Sequence, residues 1–94
     1  MTDATPKMSE LPGLVNLSPA MTAERLRSSV GARIYDSNMA QLTYVRNTVL
    51  AGRQPKPEML DRLLLGLYAA REFATTDPEY AGVLFDVGYL FRRL

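Results

Sequence analysis

Apolar residues in this chain recur every three or four positions, and no stretch alternates apolar and polar with the period of two that a half-buried strand requires. Four stripes of helical spacing stand out. The first is Leu26, Val30 and Ile34; the second is Met39, Leu42, Val45, Val49 and Leu50. The third is Leu60, Leu63, Leu64, Leu67 and Tyr68, and the fourth is Tyr80, Leu84, Val87 and Phe91. With no hairpin signal such as Asn-Gly, the pattern predicts an all-α fold, a small bundle of about four helices.

Punctuation residues place the boundaries. Residues 1–13 are polar and carry Pro6, Pro12 and Gly13, which predicts a flexible N-terminal tail over 1–17 and a helical domain over 18–94. Ser18 before Pro19 reads as a helix start, because serine accepts from free amides and proline fits the first helical position. Gly31 and the fresh cap Asp36-Ser37-Asn38 divide the following region into helices over roughly 19–33 and 37–51, the second ending at Gly52. Prolines in 52–57 break any helix, and Pro57 opens the third with Glu58 and Asp61 in its first turn, where the helix dipole favours anions. Thr76-Asp77-Pro78-Glu79 starts the last helix, over about 78–93, with Thr76 or Asp77 as its cap.

Composition narrows the chemistry. The chain has 94 residues, one domain's worth, and no cysteine, histidine or tryptophan. Disulfides, thiolate or imidazole nucleophiles, histidine bases and Cys/His zinc sites are thereby excluded. There is also no Gly-rich phosphate loop, metal-ligand cluster or nucleophile elbow, so the expectation is a non-enzymatic protein with no catalytic, cofactor-binding or metal-binding residues. The N-terminus lacks the apolar core of a signal peptide, and the longest apolar run, residues 63–70, is far short of the roughly 20 residues that span a bilayer. A cytoplasmic protein is expected, with no membrane partner.

The formal charge of +1 argues against non-specific nucleic-acid binding, and its distribution argues further. Every charge between residues 72 and 86 is acidic: Glu72, Asp77, Glu79 and Asp86. A DNA-reading helix there would be repelled by phosphate, and Arg25, Arg27, Arg33, Arg46 and Arg53 fall on several helical angles, as on a solvated surface. Asp77 and Glu79 suit capping better than acid–base work. Five tyrosines are candidate interface anchors. Tyr44 and Tyr68, flanked by stripe residues, read as core; for Tyr80 and Tyr89 core and contact are both open. Gly66, Gly82 and Gly88 each cost about 1 kcal/mol inside a helix, which calls for close helix approach or a partner pressed on bare backbone.

One set of blocks is more specific. Gln41-Leu42-Thr43-Tyr44-Val45-Arg46, Leu60-Asp61-Arg62-Leu63 with Leu65-Gly66, and Arg71-Glu72-Phe73 with Thr76-Asp77-Pro78-Glu79 resemble, in residues and spacing, a known family. It contains the small immunity protein that protects a bacterium from its own type VI-secreted NAD(P)+ glycohydrolase effector. The resemblance covers about residues 37–90. It implies a helical protein that binds the effector's C-terminal toxin domain in the cytoplasm and blocks its active site. An enzyme that holds an anionic dinucleotide should have an electropositive mouth, to which an acidic helix would be steered. The expected toxin-binding residues are Glu72, Asp77, Glu79, Tyr80 and Asp86, with Tyr89 and Arg46 nearby. The alternative is a homodimeric helical adaptor or secretion chaperone, with the tyrosines and glycines forming a self-interface.

Overall fold

The computed structural model describes residues 5–28 and 33–94. The chain makes a 3-10 turn (Met8–Glu10) and then α1 (Leu11–Ser28), α2 (Arg33–Leu50), α3 (Pro57–Arg62) and α4 (Leu65–Tyr68). A π-helical turn (Ala69–Phe73) and α5 (Pro78–Phe91) complete it. No strand occurs among the described residues, and the all-α expectation holds, with five helices in place of about four.

The first departure is at the start. Residues 11–17, expected in a flexible tail, form the first two turns of α1 and bury Leu11 and Val15. Pro12 costs nothing at the second helical position, where no amide needs a partner. Pro19, expected to open the helix, lies inside it and removes one donor. Around it the hydroxyls of Ser18 and Thr22 donate to the carbonyls of Leu14 and Ser18, each at 2.8 Å. These bonds let two polar side chains sit fully buried in a stripe Leu11, Val15, Ser18, Thr22 of helical spacing.

The second departure is the division between the first two helices. α1 is described as far as Ser28, Ile34 belongs to α2, and Val30 and Gly31 lie outside the described residues. Asp36-Ser37-Asn38, expected as a cap, lies within α2, and Asn38 is wholly buried. A buried partner for its amide outweighs the capping preference. Downstream, Leu42 and Val45 are buried with Val49 packed beside them. α2 ends as expected at Gly52, whose φ of +68° is left-handed. The amides of Gly52 and Arg53 return to the carbonyls of Val49 and Thr48 at 3.1 and 3.0 Å, a Schellman closure.

The third departure explains the extra helix. Pro57 opens α3 as expected, but the helix stops at Leu63, whose backbone is extended. A single helix would place Leu63 and Leu64 together on one face; here Leu63 and Leu65 are buried while Leu64 is exposed. The backbone groups freed by the break find side chains. Leu64 N–H donates to Gln41 Oε1 at 2.9 Å, and Arg92 Nη2 donates to the Leu63 carbonyl at 3.0 Å. Without them the break would leave polar groups unpaired near the core.

α5 follows its predicted stripe: Tyr80, Leu84, Val87 and Phe91 are each 0% exposed. Burial of side chains this size is worth roughly 2 kcal/mol each, more than the cost of Gly82 and Gly88 in the same helix. α5 packs against α1, α4 and the π turn. Tyr44 of α2 meets Phe91 edge-on at 6.1 Å, which gives Tyr44 the core role expected of it.

Candidate functional site

The expected contact residues divide between the interior and the surface. Asp77 immediately precedes α5, but its carboxylate makes no standard capping hydrogen bond. It takes a bidentate grip from Arg25 of α1 instead, Nε to Oδ2 at 2.5 Å and Nη2 to Oδ1 at 3.1 Å. Arg25 also donates Nη1 to the Met21 carbonyl at 3.1 Å, and its guanidinium lies 4.7 Å from the centre of the Tyr80 ring. The hydrogen bond from Arg25 holds the Asp77 carboxyl below its ordinary pKa, with the Arg25 charge and the Tyr80 amide adding to the effect and partial burial opposing it. The same bond raises Arg25. This ion pair fastens the start of α5 to α1.

Tyr80 is a correction to the expected contact set. It shares a face with Leu84, Val87 and Phe91, and its side chain is wholly buried, out of reach of any partner of the folded domain. Phe73 of the π turn meets its ring edge-on at 5.0 Å, and Tyr35 of α2 lies 5.9 Å away, itself stacked on Phe73 at 5.4 Å. The hydroxyl is 2.6 Å from Thr22 Oγ1 and accepts from Asn38 Nδ2 at 3.3 Å. Because Thr22 donates its own proton to the Ser18 carbonyl, Tyr80 is the donor to Thr22. A hydrogen-bond chain thus runs from Asn38 through Tyr80 and Thr22 to Ser18, tying α2, α5 and α1 together. Burial raises the Tyr80 phenol above its usual range, against the opposing pull of Thr22 and Asn38. These aromatic and hydroxyl groups have the surroundings of a structural core.

The remaining expected residues are accessible. Glu72 and Glu79 are exposed; Asp86 and Tyr89 are half-buried. Glu79, Gly82, Asp86 and Tyr89 follow one another at helical spacing along the outer face of α5. Burial raises the Asp86 carboxyl above its ordinary pKa, and the charge of Glu10 adds to the rise. Arg46 is exposed on α2 and donates Nε to Asn16 Oδ1 of α1 at 3.1 Å, so its hydrogen bond joins it to α1 and not to α5.

Two features were missed from sequence. Arg25, read as scattered surface charge, is the partner that occupies Asp77, and no sequence signal links residues so far apart. Phe85 is 53% exposed on the outer face of α5 and stacks on Tyr89 with centroids 6.4 Å apart. It had a signal: a large apolar residue off the Tyr80–Leu84–Val87–Phe91 stripe. The outer face of α5 can therefore offer carboxylates, a paired aromatic surface and bare glycine backbone. Among the described residues no group of three or more acidic side chains could hold a metal ion, and no helix is long and apolar enough to cross a membrane.

Known proteins share both sequence and fold with this chain. The immune protein Tsi6 of Pseudomonas aeruginosa strain PAO1 is 38% identical over 71 residues, which are 76% of this chain and 74% of Tsi6. A solved structure of Tse6 in complex with Tsi6 matches at a TM-score of 0.78 and 32% identity, covering 87% of this chain and 86% of the other. A structure of Tsi6 from Pseudomonas aeruginosa matches at 0.78 and 31% identity, covering 88% and 85%. With residues 10–93 matching the family as a whole, the chain belongs to the Tsi6 family.

Proposed function

We propose that this chain is an immunity protein, a stoichiometric binder that neutralises a cognate type VI secretion effector in the cytoplasm of the producing cell. Membership of the Tsi6 family over residues 10–93 carries the reading. A relative named an immune protein and a family fold seen in complex with Tse6 support it. The cognate effector is proposed to be an NAD(P)+ glycohydrolase whose C-terminal toxin domain is bound and whose active site is occluded. The absence of histidine and cysteine is consistent with a protein that acts by binding.

The proposed contact is the outer face of α5 with the acidic residues around its start. Glu72, Glu79 and Asp86 supply the carboxylates, Tyr89 the aromatic anchor, and Arg46 a flanking charge. Asp77 acts from behind this surface, since its carboxylate is held by Arg25. An acidic face speeds encounter with a dinucleotide-binding mouth and fixes orientation, while buried aromatic area supplies most of the affinity. A complex that must leave no active toxin should bind at nanomolar Kd or tighter, about −12 kcal/mol.

The test is co-expression of this chain with the C-terminal domain encoded by the open reading frame immediately upstream, following survival and cellular NAD+. Rescue of both supports the reading. Rescue from a domain that kills with NAD+ intact keeps the immunity role and removes the glycohydrolase. Killing that this chain does not relieve removes the role itself.

A further inference from the structure

At the C-terminal end of α5 the surface changes character. Gly66, Phe85, Gly88, Tyr89, Arg92 and Arg93 line an open groove of about 250 Å³. Its floor is backbone: a Cβ at Gly88 would lie 3.7 Å from the Gly66 amide nitrogen, while one at Gly66 would meet nothing within 4 Å. The bare side of Gly66 therefore opens outward. Arg93 lies over Tyr89, its guanidinium carbon 3.5 Å from the ring centre, and spends one N–H on the Tyr89 carbonyl at 3.0 Å. Arginine has five such donors in a planar fork suited to a carboxylate, so most of this one's capacity is uncommitted. Arg92 spends one on the Leu63 carbonyl and is likewise exposed.

The groove is smaller than the roughly 300–1,000 Å³ of most small-molecule sites, and it is open, which suits an inserted side chain better than a nucleotide. The exposed Phe85 ring, stacked on Tyr89 beside a cationic fork, favours an apolar side chain with an acidic neighbour. Resting on the immunity reading above, we infer that this groove receives an acidic segment of the toxin domain, an apolar side chain over Gly66 and Phe85 and a carboxylate on Arg93. The contact along α5 is then two-poled. Glu79 and Asp86 meet cationic groups of the toxin, and Arg92 and Arg93 meet anionic ones. Glu79 and Tyr89 lie about 15 Å apart along the helix, a span within one ordinary interface. Opposite charge at the two ends admits one orientation of the partner and penalises its reversal.

The experiment measures Kd by calorimetry between the full chain and the cognate toxin domain identified by that co-expression, for wild type, Gly66→Leu, Arg93→Glu and Arg27→Glu. Gly66→Leu fills the groove at a position where the fold has room. Arg27→Glu changes net charge equally on exposed α1 surface. Thermal unfolding verifies that each variant is folded. The expected result is a rise in Kd of at least about tenfold for Gly66→Leu and Arg93→Glu, and less than about twofold for Arg27→Glu. Wild-type affinity in both groove variants overturns the groove while leaving the immunity role intact. No binding by wild type overturns the immunity role and this inference together. A dimer of the chain alone that Gly66→Leu dissociates overturns the assignment by making a second copy the occupant.

Discussion

Replacing Tyr80 with phenylalanine separates a core role from a contact role with a single oxygen atom. The hydroxyl is buried between Thr22 Oγ1 at 2.6 Å and Asn38 Nδ2 at 3.3 Å. Its removal takes away the acceptor for Asn38 Nδ2, in a residue whose Oδ1 already has no partner among the described residues, and the donor to Thr22. Leaving buried polar groups unpaired costs about 1–3 kcal/mol. The ring contacts to Phe73 and Tyr35 survive, so the loss should lie near the middle of that range, about 2 kcal/mol. For a domain of this size, that lowers Tm by roughly 8–16 °C. Urea unfolding followed by helical circular dichroism should show a lower midpoint at constant m-value. Toxin affinity, measured well below the variant's Tm, should stay within about twofold of wild type, since the ring lies beneath the surface. An unchanged midpoint together with a tenfold loss of affinity would refute the interior placement and return Tyr80 to the contact.

Three further outcomes follow from the geometry. Asp77→Asn breaks the bidentate pair with Arg25 and should cost about 1–3 kcal/mol at neutral pH. Because the folded-state pKa of Asp77 is depressed, its contribution is present above the unfolded value near 4 and is lost as pH falls through the folded one. Wild type and variant should therefore converge in urea midpoint on acidification; a gap that persists at low pH contradicts the ion pair. Asp86 has the opposite sign. Its folded pKa is raised, so its charge weakens the fold at neutral pH, and stability is gained as pH falls through the folded value. Asp86→Asn should leave the neutral-pH midpoint unchanged or higher, and a clear fall would show an unrecognised partner. Gly82→Ala places a methyl where nothing lies within 4 Å and should raise stability by about 0.5–1 kcal/mol in the same assay.

The legible parts of the fold were those fixed by local physics. Gly52 closes α2 because only a left-handed residue fits there, and Pro57 and Pro78 open helices where an amide is not needed. The α5 stripe was readable because every residue on it is apolar or aromatic. The start of α1 was hidden because Pro12, Gly13 and Pro19 are usual breakers, and because two of its buried positions are Ser18 and Thr22, which need their hydroxyls bonded to the helix's own carbonyls. The break at Leu63 was invisible for a different reason. It depends on Gln41 and Arg92, 23 and 29 positions away along the chain. The same limit applied at the candidate site. Blocks of residues marked the family, and Glu79, Asp86 and Tyr89 do lie on one accessible face. That Asp77 is occupied by Arg25 is a consequence of packing that no local pattern encodes, whereas Tyr80 turns inward with the α5 stripe to which its spacing assigns it.

Stoichiometric neutralisation is tested most directly by titrating the purified toxin domain of the cognate effector, once co-expression has identified it, with this chain while following the toxin's turnover. At toxin concentrations well above Kd, activity should fall linearly and reach zero at one equivalent, with NAD+ consumption as the reading for a glycohydrolase. Full activity at a severalfold excess of the chain, or complete loss at a small fraction of an equivalent, would contradict inhibition by one-to-one binding.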